Sequence, residues 1–398
     1  MSELLDTEKK SLMTVVYVGQ KFPETIEKSI MLVGPTPRRP DVKSWRPMAL
    51  HILGEQLGYD GVVFVPEREN ETFDRNYEDQ IETEERMLNM ADVIVCWIPR
   101  DMRDMPALTT NDEFGTWKHS GKVVFGAPKE AVHVRYQQYY ADKLNIPSYY
   151  SLTDTLRAAL KRLEAGGVRI GGERDVPLMI WNTPAFKQWY ANLLKAGNRL
   201  DGAKVEWSFR VGKNKSIVFM WALHVNVFVA SEKRNKVNEF VLGRPDTSSV
   251  VAYRFNALNP MRSEVVLVRE FRSTVSNSRG FVYELPGGSS FKPGVSPEQL
   301  ASDEFFEEVG VRIDPSRMRR HGSRQLVATV LSHHSHLFSV ELTEAEMNEL
   351  KGMVGEMHGN NVTDSEQTYV EVKTMDDIHE PGSGVDYSTI GMISSLYR

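Results

Sequence analysis

The sequence contains a single cysteine, Cys96, among 398 residues. One cysteine cannot form a disulfide within the chain, which excludes the class of small folds held together by internal disulfides. Cys96 lies in an apolar segment that predicts a buried strand, so we expect a core residue. Because a free buried thiol suits a reducing compartment, we expect a cytoplasmic protein.

Long hydrophobic runs are also missing. The longest run, residues 217–230, contains His224 and Asn226 and is too short to cross a bilayer. The N-terminal segment MSELLDTEKK is polar and lacks the apolar core of a signal sequence. We therefore expect a soluble protein with no membrane partner.

Neither sign of charge dominates the composition. The 48 basic and 54 acidic residues give a formal net charge of −6, which provides no basic surface for a nucleic-acid backbone. We expect no nucleic-acid partner, whereas a free nucleotide needs only a local cation or a metal ion. At 41% hydrophobic residues, the chain is long enough for two domains with separate cores.

The first half alternates apolar segments with helical patterns. Continuous apolar runs at 29–34, 62–66, 93–99 and 122–128, bounded by Gly or Pro, predict strands buried on both faces. Helical patterns lie near 45–57, 77–91, 111–120, 131–143 and 152–165. This alternation predicts an α/β fold, a parallel Rossmann-like sheet covered by helices on both faces.

Ligands of such sheets bind beyond the carboxyl ends of the strands. The candidate residues there are Gly34 and Pro35 after the first strand, Glu67 after the second, Arg100 and Asp101 after the third, and the segment TTNDEFG at 109–115. In that segment, Thr110 or Asn111 can cap a helix whose first turn carries Asp112 and Glu113, which is the purely structural interpretation.

Five fragments in order give this half a family resemblance. GPTP (34–37), SWRP (44–47), VPE (65–67), ADVIVCWIPR (91–100) and TTNDEFG (109–115) resemble the nucleoside 2-deoxyribosyltransferase-like family. The resemblance implies that Glu113 attacks the anomeric carbon of a nucleoside, that Asp92 contacts the base or sugar, and that Asn111 binds substrate. The family's second acid, six residues before the nucleophile, is Ala107 here.

Trp45 and Arg46 allow two interpretations. They could stack on a base and bind a phosphate, or Trp45 could be a core residue at the start of an amphipathic helix.

A glycine-rich segment and one helix connect the two predicted domains. The segment AGGVRIGGERDVP (165–177) predicts a linker, and Thr183, Pro184 and Gly197 mark the cap, first turn and end of a helix. We predict domains at 1–166 and 205–398 joined by residues 167–204. The apolar stripe of the helix is expected to pack on the second domain or on a second subunit, and we expect a homo-oligomer.

Three carboxylates share one helix face in the second half. Glu304, Glu307 and Glu308 stand at i, i+3 and i+4 on a helix that Ser296 and Pro297 begin. Such a cluster suits a hard cation, Mg²⁺ or Mn²⁺, shared with substrate phosphates. The alternative is a solvated acidic face.

The residues around this helix resemble the Nudix hydrolase signature. Its matching positions are Gly288, Glu304, Glu307, Glu308, Gly310 and Val311. The resemblance implies an α/β/α sandwich, metal binding by Gly287, Glu304, Glu307 and Glu308, and a catalytic role for Glu307. Val295 and Asp303 replace a glutamate and an arginine of the signature.

VVLVREFR (265–272), followed by YELPGG (283–288), resembles the ADP-ribose pyrophosphatase branch of that family. The resemblance implies that Arg269, Arg272 and Glu284 bind substrate and that Glu366, in the loop 356–367, activates the attacking water. Glu356 in the same loop is the other candidate, and a solvated loop acid is the structural alternative. His333, His334 and His336 predict a polar loop rather than a metal site.

Two hypotheses about function follow. One is an enzyme of nucleotide metabolism that cleaves or transfers an N-glycosidic bond in one domain and hydrolyses an ADP-ribose-like pyrophosphate in the other. The second is a sensor that binds a nucleotide derivative without turnover. Either way, the predicted partner is a small nucleoside or nucleotide.

Overall fold

The computed structural model describes residues 12–69, 77–163, 166–289, 294–359 and 366–396. The chain divides into two compact units, residues 1–242 and 243–398. No helix among the described residues is long and apolar enough to span a membrane.

The first unit is built on a parallel sheet, which confirms the predicted α/β class. Its strands are β1 (Thr14–Tyr17), β2 (Thr25–Ile26), β3 (Ser29–Val33), β4 (Val62–Val65), β5 (Val93–Trp97), β6 (Val123–Gly126), β7 (Ser148–Tyr149) and β8 (Arg169–Ile170). Six of them form the parallel sheet β1-β4-β3-β5-β6-β7, and β2 pairs separately with β8. The edge strands β1 and β7 were not predicted.

Helices cover both faces of this sheet. They are α1 (Arg46–His51), α2 (Tyr77–Met90), α3 (Leu108–Trp117), α4 (Arg135–Leu144) and α5 (Leu152–Lys161), with α1 continuing as a π-helical turn, Ile52–Gln56. The predicted cap of α3 is wrong, because the helix begins at Leu108 and its N-cap is Ala107 in the left-handed conformation, φ 57°. Thr110 is instead a buried residue inside the first turn, 2% exposed.

Asp92 lies at the amino end of β5, opposite the edge where ligands of parallel sheets bind. Its carboxylate accepts two hydrogen bonds from the Arg169 guanidinium, each 2.7 Å, one from the Leu178 amide at 2.8 Å and two from Ser29. This position corrects the prediction that Asp92 contacts the base or sugar of a substrate. This carboxylate anchors the segment after β8 to the amino edge of the sheet.

The connecting segment and the next three strands form one layer of the first unit. They comprise α6 (Leu178–Trp181), α7 (Pro184–Lys195), β9 (Arg199–Val211), β10 (Ile217–Val229) and β11 (Arg234–Gly243). Thr183 caps α7 as predicted, and Phe186 of α7 packs with Trp221 and Leu223 of β10. Because this packing ties β9 and β10 to α7, the first unit extends past the predicted domain start at residue 205.

The second unit contains a mixed sheet. Its strands are β12 (Thr247–Arg254), β13 (Glu264–Phe271), β14 (Phe281–Glu284), β15 (Gly287–Gly288), β16 (Arg319–Arg324), β17 (Ser335–Glu341), β18 (Met357–His358) and β19 (Thr368–Thr374). The main order is β16-β17-β12-β13-β19-β18, and β12 runs parallel to β17.

Helices lie on both faces of the second sheet. They are α8 (Pro297–Val309), α9 (Glu344–Gly352), α10 (Met375–His379) and α11 (Tyr387–Ser394). Phe305 of α8 and Met347 of α9 share one core with Val268 of β13, whereas Ile378 and Ile393 share the opposite core with Leu267. Alternate residues of β13 therefore face α8.

The Asp92–Arg169 pair gives a test of the fold. Asp92→Asn leaves a buried guanidinium without its counter-charge, so we expect the free energy of unfolding to fall by about 3–5 kcal/mol. Glu239→Gln removes an exposed partner of Lys236 and is expected to change it by less than about 0.5 kcal/mol. Urea unfolding followed by tryptophan fluorescence measures both. Equal stability of the two variants would contradict the anchoring role.

Candidate functional site

A cavity of about 350 Å³ opens at the carboxyl edge of the parallel sheet. Gly34 follows β3 and Glu67 follows β4, and both line it together with Glu113 of α3. Helix α2 adds Glu84. The structure thus brings four of the predicted site residues, these three and Arg46, together where a parallel sheet binds its ligands.

Arg46 is a buried part of the cavity wall, 1% exposed. Its guanidinium donates to the carbonyl oxygens of Leu32 at 3.1 Å and Gly34 at 2.7 Å and pairs with Glu67 at 2.5 Å. The Ser44 hydroxyl donates to the same carboxylate at 3.1 Å. These bonds fix the loop after β3 and the direction of Glu67, so Arg46 shapes the cavity rather than presenting a free cation to a phosphate.

Trp45 and Asn111 lie outside this cavity, which corrects both predictions. The Trp45 indole is 8% exposed, donates to the Pro35 carbonyl at 3.2 Å and packs in the core. A Cβ added at Gly34 would lie 2.7 Å from that ring, so glycine is required for the close approach. The Asn111 side-chain oxygen accepts from Arg100 and Gln137 on another face of α3.

Two carboxyl groups in the cavity resist ionisation. Burial, with the charge of Glu84 adding to it, raises the pKa of Glu113 to about 7, while the Arg46 charge opposes the rise. Burial also raises the pKa of Glu84, whose carboxylate accepts from the Gln80 amide at 2.7 Å. The charge of Glu84 helps Glu113 keep its proton up to about pH 7, so below that value one group can be ionised while the other is protonated.

Sequence reasoning missed Glu84. It stands in an acidic helix, YEDQIETEERMLNM, where several glutamates look alike until packing selects one face. Arg38 and Arg68 also line the cavity and were not predicted.

In the second unit, a glycine pair brings a strand against the carboxylates of α8. The Gly287 amide donates to Glu308 at 2.9 Å, and a Cβ added at Gly288 would lie 2.4 Å from a Glu304 oxygen. Ser296 caps the helix as predicted and Gly310 ends it with φ 82°. Glu304 and Glu308 therefore face the glycine pair, whereas Glu307 is exposed.

The α8 carboxyls are coupled to two more acids. Burial raises the pKa of Glu304 to about 7, and the charges of Glu307, Glu366 and Asp303 add to the rise. Burial raises the pKa of Glu308 well above its ordinary range. The charges of Glu304, Glu366 and Glu270 add to this rise, and the hydrogen bond from Gly287 opposes it. The structure thus brings the predicted Glu366 to the helix and adds Glu270, which was missed. Residues 360–365 of the predicted loop lie outside the described residues.

These carboxylates fit a divalent cation by their chemistry. Oxygen ligands of like charge are what Mg²⁺ or Mn²⁺ prefers, and a cation among them would remove the repulsion that raises both pKa values. Within the described ranges, no three Asp, Glu, His or Cys side chains already converge as a ligand set. Glu304 and Glu308 would hold the ion, and Glu366, whose charge acts on both, is a candidate for a further donor.

The predicted substrate residues of β13 and β14 separate into two groups. Arg272 pairs with Glu270 at 2.7 Å and with Glu284 at 2.9 Å, so these three adjoin the acidic cluster. Arg269 alternates to the opposite face, where it pairs with Glu371 at 2.9 Å between two aromatic rings. The structure therefore places Arg269 outside the acidic cluster, which corrects its predicted role in substrate binding. Asp303 accepts from the Gln299 amide on the exposed side of α8.

Comparison with known proteins supports the predicted family resemblances of the two halves unequally. Residues 27–131, which include β3 to β6, match the family described as nucleoside 2-deoxyribosyltransferase like, and this confirms the predicted domain. The uridine diphosphate glucose pyrophosphatase NUDT14 of Bos taurus, a Nudix-family protein, is 33% identical over 75 residues, 19% of this chain. The matched stretch spans 34% of that relative, so the likeness covers about a third of its length.

The raised pKa of Glu304 predicts a pH-dependent stability. The Glu304 carboxyl loses its proton near pH 4.5 in the unfolded chain and near pH 7 in the folded chain. Its contribution to the free energy of unfolding is therefore fully present below pH 4.5 and is lost as the pH rises through about 7. Glu304→Gln should therefore raise the thermal midpoint by several degrees at pH 8 and leave it nearly unchanged at pH 4.5.

Glu349→Gln is the matched control, because Glu349 is an exposed glutamate of α9. Scanning calorimetry without divalent cations at both pH values measures the effect. A gain of equal size at the two pH values would contradict the assigned cause.

Proposed function

We propose that the first unit is an enzyme that cleaves the N-glycosidic bond of a nucleoside or nucleotide, with Glu113 as nucleophile. One observation carries the proposal: Glu113 and Glu84 share the ligand cavity of the sheet, and the pKa of each is raised. The family match over residues 27–131 supports the same substrate class.

The chemistry needs one ionised and one protonated carboxyl group. The Glu113 carboxylate attacks the anomeric carbon while the carbon–nitrogen bond breaks, and the leaving base takes the proton of Glu84. A glycosyl ester on Glu113 results. Water then attacks the anomeric carbon and gives a proton to Glu84, while the bond from that carbon to the Glu113 oxygen breaks. The free sugar leaves and both groups are restored.

Other cavity residues suit this substrate. Glu67, held by Arg46 and Ser44, offers a fixed acceptor for a sugar hydroxyl. Arg38 and Arg68 add positive charge for a phosphate on the sugar. Ala107, where the family has a second acid, offers no hydrogen bond to an incoming base, which favours water as acceptor.

Base release should depend on both acids. We expect Glu113→Ala to lower the rate by at least about 10³, because the covalent step loses its nucleophile. Glu84→Gln should lower it by about 10²–10⁴ through loss of the proton donor. Because the reacting pair needs one proton, and Glu113 beside a charged Glu84 loses the last one near pH 7, the wild-type rate should fall as pH rises through about 7.

Chromatography of free bases released from a panel of nucleosides, nucleotides, ADP-ribose and NAD measures the rates. Glu82→Gln, an exposed acid of α2, is the matched control. If calorimetry detects binding of a panel member but no base is released, the first unit is a sensor and the enzymatic proposal is wrong.

We also propose that the second unit hydrolyses the pyrophosphate bond of a nucleoside diphosphate derivative, such as an ADP-ribose-like compound. The observation in its favour is the pairing of Glu304 and Glu308 with the glycine pair, beside Glu366 and Arg272. A bound Mg²⁺ or Mn²⁺ would polarise the phosphates. Glu366 would take the proton of the attacking water, while Arg272 would face the substrate's negative charge. The name of the bovine relative adds uridine diphosphate glucose to the substrates worth testing.

Metal-dependent hydrolysis should require the α8 carboxylates. We expect Glu304→Gln and Glu308→Gln each to lower the rate by about 10² or more, because each removes a charge while keeping the side-chain shape. Phosphate-product analysis with ADP-ribose and uridine diphosphate glucose, with and without Mg²⁺, measures this. Glu349→Gln is the control, and base release by the first unit should survive both substitutions. Full hydrolysis by both variants would exclude this site.

A further inference from the structure

A second cavity of about 360 Å³ lies on a different face of α3 from Glu113. Asn111, Phe114 and Lys118, spaced i, i+3 and i+7, line it, whereas Thr110 and Glu113 line the first cavity. With 3.6 residues per turn, these two sets point roughly 100° apart around the helix. The two cavities are neighbours of similar volume that share Pro106 and Leu108 as lining residues.

The charges of the two cavities differ. Glu67, Glu84 and Glu113 line the first, while the side chains that line the second include Arg100 and Lys118 and no aspartate or glutamate. A ligand in the second cavity thus meets positive charge alone.

Arg100 is a buried cation whose hydrogen bonds go to neutral acceptors. Its side chain is 6% exposed and donates to the His133 carbonyl at 2.6 Å and to the Asn111 side-chain oxygen at 2.5 Å. Its Nε has no hydrogen-bond acceptor in the described part of the chain. A buried charge of this kind is costly unless an anion compensates it.

Gln137 completes a polar floor, and apolar side chains form the rim. Gln137 is 4% exposed and donates to the same Asn111 oxygen at 2.6 Å, while its own Oε1 has no donor among the described residues. At the rim, Met102, Leu108 and Tyr136 are 53%, 59% and 68% exposed. Charged floor and apolar rim together fit a molecule with an anionic head and an apolar body.

We propose that this Arg100 cavity is a separate ligand site for a small organic anion, a phosphate monoester or a carboxylate on an apolar or aromatic body. Arg100 and Lys118 bind the head, the free Gln137 oxygen accepts from it where it carries a hydroxyl, and Tyr136 covers the body. The site is independent of the glycosidic chemistry proposed for the first cavity.

Calorimetry with the full-length protein and four probes tests the charge requirement. Benzoate and phenyl phosphate should bind at least about tenfold more tightly than neutral benzamide, and phenyl phosphate more tightly than inorganic phosphate. The stronger of the two anions identifies the head group. Equal affinity for benzoate and benzamide, or no binding of any probe at millimolar concentration, would overturn the proposal.

Substitutions locate the bound probe. Lys118→Gln should weaken phenyl phosphate about three- to tenfold, and Arg100→Lys should weaken it further, because lysine lacks the guanidinium fork. Lys143→Gln is the matched control, since Lys143 contacts the same Tyr140 ring as Lys118 but does not line the cavity. Tyr136→Ala should weaken phenyl phosphate and leave inorganic phosphate unchanged.

Arg38→Gln removes a cation of the first cavity, so this variant distinguishes binding in the first cavity from binding in the second. It should leave phenyl phosphate binding unchanged. Binding that is lost in Arg38→Gln and kept in Lys118→Gln would place the anion in the first cavity and refute the proposal, whatever the outcome for base release.

Discussion

Removal of carboxyl groups from water is the constraint on which both candidate sites depend. In the first unit, burial raises the pKa of Glu113 to about 7, with Glu84 adding to the rise. In the second, burial raises the pKa of Glu304 to the same value, with Glu307, Glu366 and Asp303 adding to it. Crowded, desolvated acids cost stability, and only a bound proton, a cation or a substrate relieves the cost. The same arrangement that weakens the fold therefore suits the chemistry proposed for each site.

The surrounding fold holds these acids by fixed hydrogen bonds. Arg46 binds the carbonyls after β3 and fixes Glu67, so the cavity wall is formed by a side chain as much as by the backbone. At the other edge of the sheet, Asp92 and Arg169 bind the segment that leads toward α7. In the second unit, the Gly287 amide holds Glu308, and the missing Cβ of Gly288 lets Glu304 lie against the strand. The candidate catalytic groups and the Asp92–Arg169 anchor thus occupy opposite edges of the first sheet.

Local sequence patterns were sufficient to predict many helices and strands and the candidate site residues that lie at their ends. The buried strands from β3 to β6, the α8 carboxylates, Ser296 as a cap, and Gly34, Glu67 and Glu113 could be predicted because strand and helix periodicity places them. The roles of residues whose partners are distant in the sequence could not be predicted in this way. Asp92 meets Arg169, which lies 77 residues away, and Trp45 enters the core under Gly34. Glu84 is one of several glutamates on α2, and only packing turns it toward Glu113. The strands β9 and β11 were missed because mixed polar and apolar residues obscure their alternation.

The central claim, that Glu113 forms a covalent glycosyl ester, is tested most directly by mass spectrometry of the acid-quenched protein. The protein is incubated with each nucleoside and nucleotide, digested and mapped. The account predicts a glycosyl adduct on the peptide that contains Glu113, with an increased yield when Glu84→Gln slows hydrolysis more than formation, and no adduct in Glu113→Ala. An adduct on a different residue, or base release that persists in Glu113→Ala, would contradict it.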